Sequence, residues 1–315
     1  MEDKKQSLRR SIQYVKQEII GQDQAVDLLF VALLANGHVL LESVPGTGKT
    51  KLAKTVAAVY SGQFRRVQFT PDVLPSDVTG IQFFNPKKQE FEIRHGPAFT
   101  NMLLADEINR AAPKTQSSLL EVMEEQQLTI DGETLPVPVP FMVIATQNPV
   151  EQGQGTYPLP EAQLDRFLLR IQLDYPELED ERNILNTYKQ AGNSSEAILD
   201  QETVLELQQE VSNIHIADDV KDYLLSIVHA SRNHPEVRLG ASTRAALAWL
   251  KAAQAYALLH DREYVSPQDI KLLAQFILGH RIMLTMEGAI RKTKQEIVDE
   301  ILASAAVPVE TGSPF

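Results

Sequence analysis

The sequence predicts an α/β fold, a parallel five-stranded sheet with helices on both faces, followed by an all-helical domain. Three observations predict it. Short apolar runs recur at wide spacing with helical patterns between them, a Gly-rich turn joins the first run to a helix, and after Tyr175-Pro176 only helical patterns remain. The expected domains are therefore 1–176 and 177–315.

Leu8, Ile12, Val15 and Ile19 fall on one helical face, and Gly21 just beyond them is a natural stop. A second helix runs from Asp23 to the turn signal Asn36-Gly37. The five runs expected as strands are His38 to Leu41, Arg66 to Phe69, Asn101 to Ala105, Phe141 to Thr146 and Phe167 to Leu173. Most are continuous rather than alternating, which is the pattern of strands covered on both faces. Leu52, Val56 and Tyr60 place a helix after the first run, and Leu119, Leu120 and Met123 place another later. Ile81 to Ile93 alternates around Asn85-Pro86, and Gln127 to Val139 turns at Asp131-Gly132; both read as antiparallel insertions projecting from the sheet. Helical periods then begin near Glu177, Gln201 and Ala217, and Ser242 opens STRAALAWLKAAQAYALL. Ser266-Pro267-Gln268-Asp269 supplies an N-cap, a first-turn proline and an acidic third residue for one more helix. The last dozen residues read as a disordered tail.

Composition narrows the function. Acidic residues outnumber basic ones, 42 to 30, for a formal charge of -12. That balance argues against broad nucleic-acid affinity, so no nucleic-acid partner is expected. No cysteine is present, which excludes disulfides, Cys-ligated zinc and thiol catalysis. The charged start MEDKKQSLRRS leads into no apolar segment, and no transmembrane segment is found, so a cytoplasmic protein is expected.

LLESVPGTGKTKL, from Leu40 to Leu52, reads as a phosphate-binding loop. Backbone N–H groups of such a turn converge on one point, the following helix adds the positive end of its dipole, and a Lys side chain reaches the terminal phosphates. Val44, Pro45, Gly46, Thr47, Gly48, Lys49, Thr50 and Lys51 make up this loop, with Thr50 placed to ligate Mg2+. Ser43 stands where the usual first glycine would be. Further on, NMLLADEINR ends an apolar run in Asp106 and Glu107. Asp106 is suited to hold Mg2+ through its water shell, and Glu107 to polarise an attacking water as general base. FMVIATQNP ends in Gln147-Asn148, and Asn148 is a candidate for the γ-phosphate or the water. Arg166, Arg170 and, in GASTRA, Arg244 are candidates for spreading positive charge over phosphate oxygens.

LLESVPGTGKT, GPAFTNMLLADEINRAAPKTQSSLLEVMEE, VIATQNPVEQGQGTYPLPEAQLDRF and GASTRAAL together resemble the MoxR family of AAA+ ATPases, over a stretch from about Ile20 into the helical domain. The resemblance implies a sheet in the order 5-1-4-3-2, a helical lid, and a ring of copies, commonly a hexamer, with ATP bound between subunits. It puts Lys49 and Thr50 in Walker A, Asp106 and Glu107 in Walker B, Asn148 at sensor 1, Arg166 at the arginine finger and Arg244 at sensor 2. Ile20, Gly21 and Gln22 fall where the family touches adenine. It further implies a chaperone-like remodelling factor acting on a client protein, often with a von Willebrand factor A domain partner. A metal-chelatase motor subunit, a nucleic-acid motor or clamp loader, and a nonhydrolysing scaffold are the competing readings, and Arg170 remains an alternative to Arg166 as the finger.

Overall fold

The computed structural model describes residues 2–44, 46–148, 155–187 and 198–308, so Pro45 and residues 309–315 of the expected tail lie outside the described residues. The chain divides into two compact units, Met1–Leu207 and Gln208–Phe315.

The first unit runs α1 (Glu2–Glu18), α2 (Asp23–Leu34), β1 (Val39–Ser43), α3 (Lys49–Ala58), β2 (Phe64–Gln68), α4 (Pro75–Thr79), β3 (Gly80–Asn85), β4 (Glu90–His95), β5 (Met102–Asp106), α5 (Pro113–Glu125), β6 (Gln127–Ile130), β7 (Glu133–Pro136), β8 (Met142–Gln147), α6 (Glu161–Leu164), β9 (Leu169–Leu173), α7 (Leu178–Thr187) and α8 (Gln201–Val211), which spans the division. Five strands pair in parallel in the order β2-β5-β8-β1-β9. Read from the other edge and counted along the chain, this is the expected 5-1-4-3-2. All five residues of β1 and of β5 are buried. Leu40, Leu103, Ala105, Val143 and Ala145 join Leu119, Leu120, Phe141 and Phe167 in one core, each large side chain contributing about 1.5–3 kcal/mol by leaving water. A charge inside such a sheet needs a partner, which matters for Glu42 and Asp106 below. β2 differs because it lies at the sheet edge: Arg65, Arg66 and Gln68 are exposed.

The two insertions are antiparallel hairpins, β3 with β4 and β6 with β7. The Gln82 N–H donates to Asp131 Oδ2 at 3.2 Å and ties one to the other. Phe84 and Phe91 face each other edge-on at 5.4 Å and are both exposed. The change from strands to helices at Pro176 and the division of contacts near Leu207 are different boundaries. After the strands, the chain returns to the first unit: Leu199 N–H donates to Val59 O at 2.9 Å, Ser61 N–H to Leu199 O at 2.8 Å, and Lys4 pairs with Glu206.

The second unit continues with α9 (Asp218–Asn233), β10 (Val237–Leu239), α10 (Thr243–Leu259), α11 (Pro267–Leu278), β11 (Met283–Leu284), α12 (Met286–Arg291) and α13 (Lys294–Ser304). It is helical as expected, with one addition: β10 and β11 form a short antiparallel pair, too brief for a periodic signal in the sequence. Trp249 is fully buried and its indole N–H donates to Ile270 O at 3.1 Å. Among the described residues, no helix is long and apolar enough to cross a membrane.

Candidate functional site

The turn from β1 into α3 holds Gly46 at φ +90° and Gly48 at φ +87°, backbone that L side chains rarely adopt. A Cβ at either position would meet nothing within 4 Å, so the glycines are required by conformation and the space above them is open. Gly48 caps α3 without any side-chain hydrogen bond, and the first turn carries no acid. Its backbone N–H groups and dipole are thus left for an outside anion. Ser43 needs no glycine substitute, because it is the last residue of β1, paired to Leu173 in extended backbone. Its hydroxyl accepts from Thr47 Oγ1 at 2.7 Å and staples the loop. Lys49 Nζ donates to Ser43 O at 3.2 Å across the same loop. Lys51 is turned away, donating to Glu18 O at 2.7 Å.

Three neighbouring strands build the acidic side. Asp106, 5% exposed at the end of β5, accepts from Thr146 Oγ1 on β8 at 2.6 Å through Oδ1. Its Oδ2 accepts from Arg66 of β2, Nη2 at 2.7 Å and Nε at 3.2 Å, and from Thr50 Oγ1 at 3.4 Å. Glu107 follows at φ +57°, an uncommon conformation for a side chain of this size and of the kind that collects at functional sites. It is held there by its N–H to Thr146 Oγ1 at 2.9 Å, by Gln68 Nε2 at 2.7 Å and by Arg110 Nε at 3.1 Å. Thr50 and Asp106 thus meet, with Glu107 beside them, at the carboxyl end of a parallel sheet, where ligands of such sheets bind.

The remaining candidates are placed separately. Asn148 is buried immediately after β8. Arg170 is committed to its own sheet, its guanidinium paired with Glu42, which is 3% exposed and also bound by Gln147. Arg166 pairs with Glu124 of α5 at 3.0 Å. Gln22 Nε2 donates to Asp174 O at 3.0 Å, beside Gly21 at φ +79°; Ile20 precedes them. Arg244 belongs to the second unit, exposed in the first turn of α10. That turn is pinned from behind: Arg232 Nε donates to Ala241 O at 2.8 Å, Ala241 N–H donates to Ser231 Oγ at 3.0 Å, and a Cβ on Gly240 would strike Arg232 Cα at 2.6 Å.

A hydroxyl and a carboxylate are hard oxygen donors of the kind Mg2+ takes, and the open, uncapped α3 turn beside them suits polyphosphate, so the residues fit both groups. A second acidic group in the lower half of the chain does not. His234, Glu236 and Glu300 bring ligand atoms within 4.8 Å of one another, but the Lys292 ammonium already binds Glu236 at 2.9 Å and Glu300 at 2.8 Å. His95 stacks on Phe99 at 4.1 Å, a packing role.

Sequence reasoning missed Arg66, Gln68, Arg110 and Thr146. A usable signal existed: polar residues ending each parallel strand converge on one edge, and Arg66 and Gln68 share a face at i and i+2.

Comparison with known proteins agrees with this geometry. The pattern of the ATPase family associated with various cellular activities (AAA) matches residues 38–169, and that of the AAA lid domain matches residues 229–301. "Chaperone MoxR1" of Mycobacterium tuberculosis is 42% identical over 98% of this chain and 84% of its own. The chain belongs to the MoxR family of AAA+ ATPases. "Uncharacterized protein YeaC" of Bacillus subtilis is 48% identical over 98% of this chain and 97% of its own. A crystal structure of a candidate ATPase from Cytophaga hutchinsonii superimposes with a TM-score of 0.89 at 39% identity, covering 97% of this chain and 96% of that one. The AAA match spans β1 to the first residue of β9, so every residue of the Asp106 network lies inside it.

Proposed function

We propose that this MoxR-family chain hydrolyses ATP with Mg2+ as a ring of copies, remodelling a client protein or complex in the cytoplasm, with a von Willebrand factor A domain protein as partner. The observation that carries the chemistry is the meeting of Thr50, Asp106, Thr146 and Glu107 beside the uncapped start of α3. In this reading the α3 N–H groups and Lys49 hold the β- and γ-phosphates, Ile20, Gly21 and Gln22 lie against the base, and Thr50 and Asp106 hold the metal. Bound Mg2+ would neutralise charge on the phosphate oxygens. Glu107 accepts a proton from water as its oxygen bonds to the γ-phosphorus and the bond to the β–γ bridging oxygen breaks. Asn148 orients that water or the γ-phosphate, and Arg244 adds charge from the lid. Arg166 is the finger, acting on a neighbour's site; in support, Arg170 is already spent on Glu42, which is 3% exposed, whereas the glutamate paired with Arg166 is 28% exposed and less costly to leave. The ring and the protein partner rest on family membership, and a net charge of -12 argues against nucleic acid.

Mixing two inactive variants tests this. Arg166→Ala should lower turnover by roughly 10^3 to 10^5, and Glu107→Gln should silence it as well. Mixed after proven subunit exchange, they should recover part of the phosphate release, because Arg166→Ala subunits keep Glu107 and borrow arginine from Glu107→Gln neighbours. Mixtures that stay inactive contradict an arginine supplied in trans.

A further inference from the structure

The two oxygens of Asp106 have different partners. Oδ1 is committed to Thr146 at 2.6 Å within the sheet, so only Oδ2 faces Thr50. That oxygen is taken. Arg66 binds it at 2.7 and 3.2 Å, the short, charge-assisted kind of contact, while the Thr50 hydroxyl stands at 3.4 Å, a long hydrogen bond. A divalent cation held between Thr50 and Asp106, through a water of its shell or directly, draws on the side of the carboxylate that Arg66 occupies, and two cations there repel each other.

From this geometry we propose that Arg66 is a stand-in cation: it neutralises Asp106 when metal is absent, leaves when metal binds, and thereby sets the Mg2+ concentration that the site requires. The proposal rests on the nucleotide-site reading above and adds a residue to it. Asp106 is 5% exposed, so without metal its charge needs compensation. Arg66 can give that compensation and withdraw it. It lies on the edge strand β2 with 40% of its side chain exposed, and its Nη2 already has a second acceptor in Gln68 Oε1 at 2.9 Å. Swinging outward leaves Nη2 its bond to Gln68. Glu42 and Arg170 show the opposite case in the same sheet, a pair in which the guanidinium is only 23% exposed and the carboxylate 3%.

The test is a Mg2+ titration of the binding of a fluorescent ATP analogue, in the wild type, Arg66→Gln and Arg65→Gln, with circular dichroism to show that each is folded. Arg65 is the neighbouring charge on β2, and strand alternation points it to the other face. Arg66→Gln should lower the Mg2+ concentration at half-maximal binding about five- to tenfold, the scale of one charge-assisted hydrogen bond partly exposed to water. Arg65→Gln should move it by less than about twofold, as expected of a screened surface charge. An unchanged midpoint in Arg66→Gln, or an equal drop in both variants, overturns the stand-in role while nucleotide binding itself stays intact. Loss of all nucleotide binding in the wild type overturns the site reading together with the proposal.

Discussion

The helix that follows the first strand and the last four helices of the second unit begin in opposite ways. α10 to α13 are each closed by a side chain: Ser242 Oγ accepts from Ala245 N–H at 3.0 Å, Thr285 Oγ1 from Gly288 N–H at 3.0 Å, and Ser266 with Asp269 and Thr293 with Glu296 form reciprocal capping boxes. Asp269 is further fixed by two bonds of 2.6 Å from Arg262. α3 has no cap, a glycine at φ +87°, no acid in its first turn, and Lys49 and Lys51 there instead. A cation at the positive end of a helix is unfavourable by about 0.3–1 kcal/mol. α5 also lacks a side-chain cap and a first-turn acid, but it begins on Pro113, which has no N–H to offer; α3 adds two left-handed glycines with open space above them, which suits an anion. The difference sets helix starts closed by their own side chains apart from one that leaves its first N–H groups open.

Acid gives the largest expected contrast between the two units. His38 is buried beside Phe141; its Nδ1 accepts from Val143 N–H at 3.0 Å, so the proton sits on Nε2, which donates to Met123 O at 3.0 Å. Burial pushes its pKa down from 6.5 to about 4, with the Met123 bond opposing. The folded state therefore binds fewer protons than the unfolded one between these values. Stability from the neutral ring is complete above pH 6.5 and falls as pH drops toward 4, by about 3 kcal/mol in all. The single tryptophan, Trp249, reports only on the second unit. Between pH 7 and 5, denaturant midpoints followed by circular dichroism should fall while the Trp249 fluorescence midpoint moves less. His38→Gln should flatten that dependence; a slope that persists in the variant assigns it to another group.

A smaller effect sharpens the comparison of helix starts. Thr293→Ala should cost about 1 kcal/mol in denaturant unfolding and leave nucleotide binding unchanged. Gly48→Ala meets no steric obstacle but must hold φ +87°, at about 1–2 kcal/mol, and should also weaken nucleotide binding. Equal binding losses in both variants would erase the distinction.

The sheet was legible because its central strands are nearly unbroken apolar runs, and the loop because glycine, lysine and threonine occur at fixed spacing. The hairpins were legible from Asn85-Pro86 and Asp131-Gly132. Thr146 looked like one more residue of an apolar strand, and Arg66 and Gln68 like polar residues of another. Their roles depend on β2, β5 and β8 lying side by side, which brings residues about forty positions apart into contact. Adjacency of that kind is a property of the topology, and the polar strand ends point to it only once the strand order is known. Ser43, in the place of the usual first glycine, is the last residue of an ordinary strand, where no glycine is needed.

The claim that α3 opens onto an anion site is tested most directly by calorimetric titration of ATP with Mg2+ into the wild type, Lys49→Ala and Glu107→Gln. Lys49 acts on phosphates already in the bound ground state, whereas Glu107 acts on water as the reaction begins. The account predicts that Glu107→Gln binds as tightly as the wild type and that Lys49→Ala binds at least about tenfold more weakly, the loss of one charge-assisted contact. Equal affinity of Lys49→Ala and the wild type would contradict it.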